Sequence, residues 1–159
     1  MKLKEGDVFS ISLTVNEVGF GQVIAFPNRS SIMIVLFNYK EELSTNYNIE
    51  VICTSKIVFN GCTYDAKLYH NDWIIVGNYK ANLTSINLPV YKLGTPPSEI
   101  YLGDYKGKKL RSVSLKEFNT IHYQTFIAPV RYENALKAFF KLQEWRSDDY
   151  DKILYNLPV

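Results

Sequence analysis

Gly6-Asp7-Val8-Phe9-Ser10-Ile11-Ser12-Leu13-Thr14-Val15 is the stretch that decides the fold class. Phe9, Ile11, Leu13 and Val15 alternate with Ser10, Ser12 and Thr14. Successive side chains of a strand point to opposite faces, so this stretch carries one apolar face and one hydroxyl face. Gly19-Phe20-Gly21-Gln22-Val23 follows at hairpin distance, and its two glycines let the returning backbone bend or pack closely. The reading is a curved antiparallel β hairpin, residues 8–15 against residues 22–26.

The pattern continues outward from that hairpin. Pro27-Asn28-Arg29-Ser30 reads as a turn. Residues 32–39 are apolar on both faces over most of their length, as in a central strand covered on both sides. Residues 47–59 alternate through Ile49, Val51 and Cys53 and read as a strand that ends at Asn60-Gly61, the strongest short hairpin signal in the chain. Cys53 and Cys62 would then face each other across that hairpin. Residues 67–76, centred on Trp73, form the next predicted strand, stopping at Gly77-Asn78. Residues 86–93 are a weaker strand, and Pro89 suggests an edge position. Residues 100–102 and 110–113 can pair across Asp104-Tyr105-Lys106-Gly107.

The last third changes character. Ser114-Leu115-Lys116-Glu117 has capping-box spacing and predicts a short helix. Ile121, Tyr123, Thr125 and Ile127 alternate and predict one late strand. Tyr132, Ala135, Leu136, Phe139 and Phe140 recur at helical spacing and predict an amphipathic helix over residues 132–145. Ser147-Asp148-Asp149 can cap a short terminal helix. The expected class is α+β, mostly β: a strongly bent antiparallel sheet or small, partly open barrel, with the amphipathic helix over an open side. At 159 residues the chain is expected to form one domain, 1–159. Its β-rich core would cover about 6–113, and the late strand and C-terminal helices about 114–157.

Composition narrows the function classes. A net charge of +2 argues against nucleic acid and anionic membrane as partners. The longest apolar run, Ile32 to Phe37, is far short of the roughly 20 residues a membrane helix needs. Met1-Lys2-Leu3-Lys4-Glu5-Gly6 has no apolar stretch behind its charges, so no secretory signal is expected. Two cysteines are too few for a disulfide scaffold. Together these point to a cytoplasmic protein with free thiols and no cofactor. Twelve tyrosines suit half-buried strand positions and equally a contact surface for a protein partner.

Chemistry-bearing constellations are sparse. His70 and Asp72 flank Asn71 and would share a strand face, with His122 as a possible third metal ligand. The alternative reading places His70 and Asp72 in a polar turn before Trp73. No nucleophile elbow is present, and neither cysteine has a catalytic context. Lys106, Lys108, Lys109, Arg111 and Lys116 are the densest charge cluster, readable as a solvated face or as a docking patch for an acidic protein surface. Trp73 sits inside its apolar run as a core anchor, while Trp145, near the predicted helix end, is expected to be partly exposed.

The Gly6-Asp7-Val8-Phe9 strand and the Gly19-Phe20-Gly21-Gln22-Val23 return resemble the opening of the immunity protein 26 family of bacterial polymorphic-toxin systems. The resemblance is strongest over residues 6–39, returns at Trp73-Ile74-Ile75-Val76-Gly77, and fades after about Tyr101. It implies an SH3-like β core with a C-terminal addition. It also implies that Gly6, Gly19, Gly21, Trp73 and Gly77 define the fold and do not catalyse. Members of that family are thought to bind and neutralise a co-encoded toxin, so the expected partner is a cognate toxin domain. The candidate anchors for that partner are Tyr101, Tyr105, Arg111, Tyr123 and Trp145. The family is also associated in name with a phosphotriesterase-like group, which makes a metal-assisted phosphoester hydrolase using His70, Asp72 and His122 the runner-up. An SH3-like peptide-binding module unrelated to toxins is the third reading.

Overall fold

A computed structural model describes residues 2–81 and 86–155. The described residues form eight strands in two antiparallel sheets, with a few short helices. The larger sheet holds β1 (Asp7–Ser12), β2 (Glu17–Asn28), β3 (Ser31–Glu42), β4 (Ile57–Tyr64) and β5 (Trp73–Asn78), in the order β4-β3-β2-β1-β5. The smaller holds β6 (Tyr91–Leu93), β7 (Tyr101–Gly103) and β8 (Lys109–Ser112), in chain order. The class is α+β and mostly β, as expected. The larger sheet does not close into a barrel, because β4 and β5 stand at its opposite ends. No helix of the described residues is long and apolar enough to cross a membrane.

The opening hairpin forms with Phe9 opposite Gly21 and Ile11 opposite Gly19. Its first strand is shorter than the alternation suggests. The Thr14 hydroxyl accepts the N–H groups of Asn16 (3.2 Å) and Glu17 (3.0 Å), which turns the chain and leaves Val15 exposed at the tip. The second strand is longer and runs through Pro27, so that Asn28 pairs with Ser31 across Arg29 and Ser30. Gly21 has no side chain because Phe9 and Leu36 fill the space: a Cβ there would lie 2.5 Å from the Phe9 ring and 2.6 Å from Leu36 Cδ2. Gly19 makes the same kind of room for Leu136, and Gly77 for Ile49. Gly6, at φ +90°, adopts a backbone conformation that side chains disfavour.

Both faces of the larger sheet are buried. Residues 31–37 of β3 are all buried, which is why that stretch is apolar without alternating. One face gathers Phe9, Ile11, Ile32, Ile34, Leu36, Phe59 and Trp73. Trp73 stacks on Phe9 with ring centroids 5.0 Å apart. Helix α4 (Pro129–Phe139) covers this face with Tyr132, Ala135 and Leu136. Helix α5 (Ser147–Tyr150) and the 3-10 turn Asp151–Ile153 add Tyr150 and Ile153. The opposite face gathers Val8, Phe20, Ile24, Met33, Val35 and Phe37 under Ile52 of α1 (Ile49–Cys53), with Tyr105 and Phe126 packed alongside.

Several local expectations are corrected. Residues 47–53 are no strand: the Asn48 carboxamide accepts the Val51 N–H at 3.2 Å and caps α1, which turns Ile49, Ile52 and Cys53 toward the sheet. Asn60-Gly61 is no hairpin tip but lies inside β4, opposite Val35 and Ile34. Gly61 is there because a Cβ would collide with the hydroxyl of Tyr132, which donates to the Cys62 carbonyl at 3.1 Å. Cys53 and Cys62 therefore lie on different elements and do not face across a turn. Residues 66–69 form the single turn α2 (Ala66–Tyr69), so the Trp73 strand begins only at Trp73. Only residues 91–93 of the weaker strand are regular. The late strand reduces to isolated parallel bridges, Cys62 with Phe126 and Lys92 with Tyr123. Helix α4 starts earlier than its periodicity suggests, with Pro129 in its first turn, and ends at Phe139 with Lys141 at φ +61°.

Candidate functional site

The smaller sheet and its borders collect most of the side chains singled out from sequence. The sheet is joined to the larger one through Cys62. The Cys62 carbonyl accepts the Ile127 N–H at 3.1 Å, and the Thr63 hydroxyl donates to the Ile127 carbonyl at 2.6 Å. The Gln124 carboxamide donates to Cys62 Sγ at 3.2 Å, and the Tyr91 hydroxyl of β6 hydrogen-bonds the same thiol. Burial pushes the Cys62 thiol up to about 11, and the Tyr91 hydroxyl upward as well. A thiol so shifted stays protonated near neutral pH and is a structural group, not a nucleophile.

The sheet's outward groups form two small networks. Glu99 accepts the Tyr101 hydroxyl at 2.8 Å and the Ser112 hydroxyl at 2.6 Å, and these bonds hold its carboxyl below the usual range. The Lys109 ammonium lies 4.4 Å from the centre of the Tyr101 ring. Arg111 grips Glu117 through two guanidinium nitrogens, at 2.9 and 2.6 Å. Glu117 also accepts the Ser114 N–H at 3.1 Å, while the Ser114 hydroxyl accepts the Glu117 N–H at 3.2 Å. This is the capping box the spacing predicted, and it opens α3 (Leu115–Phe118). The Arg111 bond and then the Ser114 N–H bring the Glu117 carboxyl down to about 2.

The other border is built on Lys92 of β6. Its ammonium donates to the Phe118 carbonyl at 2.9 Å and sits 3.9 Å from the Phe118 ring centre and 4.6 Å from that of Tyr123. Tyr123 in turn donates its hydroxyl to the Gly94 carbonyl at 2.8 Å. Between these borders lies a cleft of about 320 Å³, lined among others by Pro96, Ile100, Val113, Leu115 and Phe118. Leu115, in its lining, is 84% exposed, and Leu110 of β8 is 53% exposed.

Tyr101, Arg111 and Tyr123 are thus brought to one region. Tyr105 lies in the turn between β7 and β8 and leans its half-buried ring on the apolar cluster of the larger sheet. Trp145 is set apart: its ring stacks on Phe59 at 6.0 Å, and its indole N–H donates to Asp151 at 3.0 Å. It is half-buried, as expected, but packs with the cluster that α4 covers. Sequence reasoning did not single out Lys92, Glu99, Ser112 or the exposed leucines. The signal that could have found them was the Ser114 box, which fixes where Arg111 and the cleft must meet.

The candidate metal ligands are not assembled. His70 caps the end of α2, Asp72 lies in the turn before Trp73, and His122 lies far along the chain beside β6. All three are exposed, and among the described residues no group of three or more His, Cys, Asp or Glu side chains could hold a metal ion. A larger cavity of about 520 Å³ lies beside α1, lined by Gln22, Phe37, Cys53, Lys56 and Tyr79 among others. Its thiol, Cys53, is pushed up to about 11 by burial, so it offers no nucleophile.

Comparison with known proteins identifies the family. The family model described as immunity protein 26 matches residues 4–96, more than half of the 159-residue chain, and the chain belongs to that family. Neither the curated proteins nor the solved structures compared with the chain gave a match. The matched segment contains the whole larger sheet and β6, and it ends before β7, β8 and α3.

Proposed function

We propose that the chain neutralises a cognate bacterial toxin by binding it, as a single-domain cytoplasmic protein of a polymorphic-toxin system. The observation that carries the reading is the match to immunity protein 26 over residues 4–96. The placement of chemistry supports it. The polar groups of the smaller sheet pair with one another, as Arg111 does with Glu117 and Tyr101 with Glu99, and none is poised beside an activated nucleophile. Such a surface suits recognition, in which aromatic and arginine anchors meet a partner inside a polar rim.

The anchors proposed for that contact are Tyr101, Arg111 and Tyr123, with Tyr105 at the flank. Trp145 joins the list only if the toxin also reaches the α4 side. The family match ends at residue 96, and Tyr101, Arg111 and Tyr123 lie beyond it. The larger sheet serves as the scaffold that presents them.

The test is calorimetric titration of the purified chain with the toxin domain encoded beside its gene, with toxin activity followed in parallel. One-to-one binding with loss of toxin activity is expected. No binding at micromolar concentrations overturns the reading.

A further inference from the structure

Four strands stand at the ends of the two sheets, and they are treated differently. β4 is covered along its outer side: Leu154 bridges Phe59, the Tyr155 N–H donates to the Val58 carbonyl, and Phe126 bridges Cys62. β6 is covered by the Tyr123 segment, with the Lys92 N–H donating to the His122 carbonyl at 3.0 Å. β5 and β8 each pair with one strand only. An uncovered edge presents unpaired N–H and C=O groups, a template for a further strand.

Charge separates the two open edges. β5 reads Trp73-Ile74-Ile75-Val76-Gly77-Asn78 and carries no charged side chain. β8 reads Lys109-Leu110-Arg111-Ser112, and all four residues are exposed. Residues 104–117 contain five cations (Lys106, Lys108, Lys109, Arg111 and Lys116) against Asp104 and Glu117, a surplus of three. The whole chain carries only +2, so the remainder is slightly negative. Glu117 pairs with Arg111, Glu5 with Lys106, and Glu99 bonds Ser112, so the cations around this open edge that carry no ion pair among the described residues are Lys108, Lys109 and Lys116. A second copy would bring the same cations to that edge and be repelled, whereas an acidic strand would be attracted.

We infer that the outer edge of β8 is a docking site for an extended, acidic segment of the toxin, which adds to the smaller sheet as a fourth strand. The Val113 N–H donates inward to the Ile100 carbonyl at 3.0 Å, so alternation turns Ser112 outward; its carbonyl accepts from the Arg111 guanidinium at 3.2 Å, and its N–H is left to the incoming strand. Lys108 and Lys109 face its carboxylates, while Arg111 stays paired with Glu117. An apolar side chain of the incoming segment enters the 320 Å³ cleft between Ile100, Val113, Leu115 and Phe118, and the exposed Leu115 closes over it. This rests on the immunity reading and adds to it the partner chemistry and the mode of contact.

The experiment is amide hydrogen exchange on the full chain, alone and with the toxin domain encoded beside its gene, together with binding titrations at two salt concentrations. Exchange at the Ser112 N–H is expected to slow at least about tenfold in the complex, because a paired strand amide exchanges only on opening. Lys108→Glu with Lys109→Glu is expected to weaken binding about tenfold or more, and added salt to weaken the wild type. Ser112→Pro, checked for folding by circular dichroism, removes the outward N–H and is expected to weaken binding by a similar factor. Toxin binding with Ser112 exchange unchanged overturns the β8 site and leaves the immunity reading standing. A wild-type chain that does not bind the toxin domain overturns both. Slowing of the same amide by raised concentration of the chain alone, with a dimer in sedimentation, makes a second copy the occupant and overturns the acidic strand.

Discussion

The two sheets obey the same pairing rules and are stabilised by different means. The larger is apolar on both faces, and its strands meet at glycines that let side chains interlock, such as Gly21 under Phe9 and Leu36. The smaller has three- and four-residue strands whose outward side chains are tied by ion pairs and hydroxyl–carboxylate bonds. Burial of a large apolar side chain contributes about 1.5–3 kcal/mol, while an exposed ion pair contributes about 0–1 kcal/mol. The first kind of sheet is a scaffold that tolerates little change, and the second is a surface whose substitution costs little stability.

The sharpest way to break that comparison is to truncate one side chain in each sheet. Trp73→Ala removes the ring stacked on Phe9 and is expected to cost about 3–5 kcal/mol in urea denaturation. Leu110→Ala, on the exposed strand, is expected to stay within about 0.5 kcal/mol of wild type. Equal losses would make the smaller sheet part of the same core. Gly21→Ala is expected to cost about 1–3 kcal/mol, because its Cβ would displace Phe9 and Leu36, neither of which has free space to enter. A neutral result in the same denaturation assay would show that the hairpin can widen.

Whether the two sheets separate before the chain unfolds is a finer question, and Cys62 reports on it. In a Cys53→Ala background, thiol labelling of Cys62 should follow global unfolding, since Tyr91 and Gln124 cover the group. Labelling that outpaces unfolding measured by tryptophan fluorescence would mean that the smaller sheet lifts off by itself, against the single-domain reading. The smallest effect is electrostatic. The Glu117 carboxyl, held down to about 2, keeps its ionised form in the folded state well below the pH at which an unfolded glutamate protonates. Its contribution is complete above the ordinary carboxylate range and fades as pH falls toward about 2. An NMR titration should place Glu117 near that value, and Arg111→Ala should return it toward the usual range.

What could be read from sequence divides along the same line. The face of α4 was legible because one-sided burial imposes a period on the chain, and residues 32–37 because burial on both faces removes it; the alternation of residues 8–15 marked a strand that ends at Ser12. The Ser114 box was legible because it is purely local. Asn60-Gly61 misled because a turn signal and a notch for a distant ring use the same residue, and the ring arrives 71 positions later in Tyr132. Residues 47–53 alternate and also satisfy helical spacing over so short a run, and only the Asn48 cap and the sheet beneath decide between them. At the candidate site Tyr101, Arg111 and Tyr123 could be named by residue type, but the pairing of β6 with Tyr123 and the end position of β8 depend on long-range topology.

The notch at Gly61 also orders events while the chain is being made. β1 to β3 are joined as successive hairpins, β4 follows after α1 as the next neighbour, and all four can pair as soon as they leave the ribosome. The face they present to α4 stays bare until Tyr132, Ala135 and Leu136 have been synthesised, some seventy residues after β4 is complete. From the completion of β5 until then, the nascent protein carries the larger sheet with one wet apolar side. Chains released before Pro129 are expected to bind a hydrophobic dye and to need a chaperone, while the full chain, with α4, α5 and the Asp151–Ile153 turn in place, is expected to need neither.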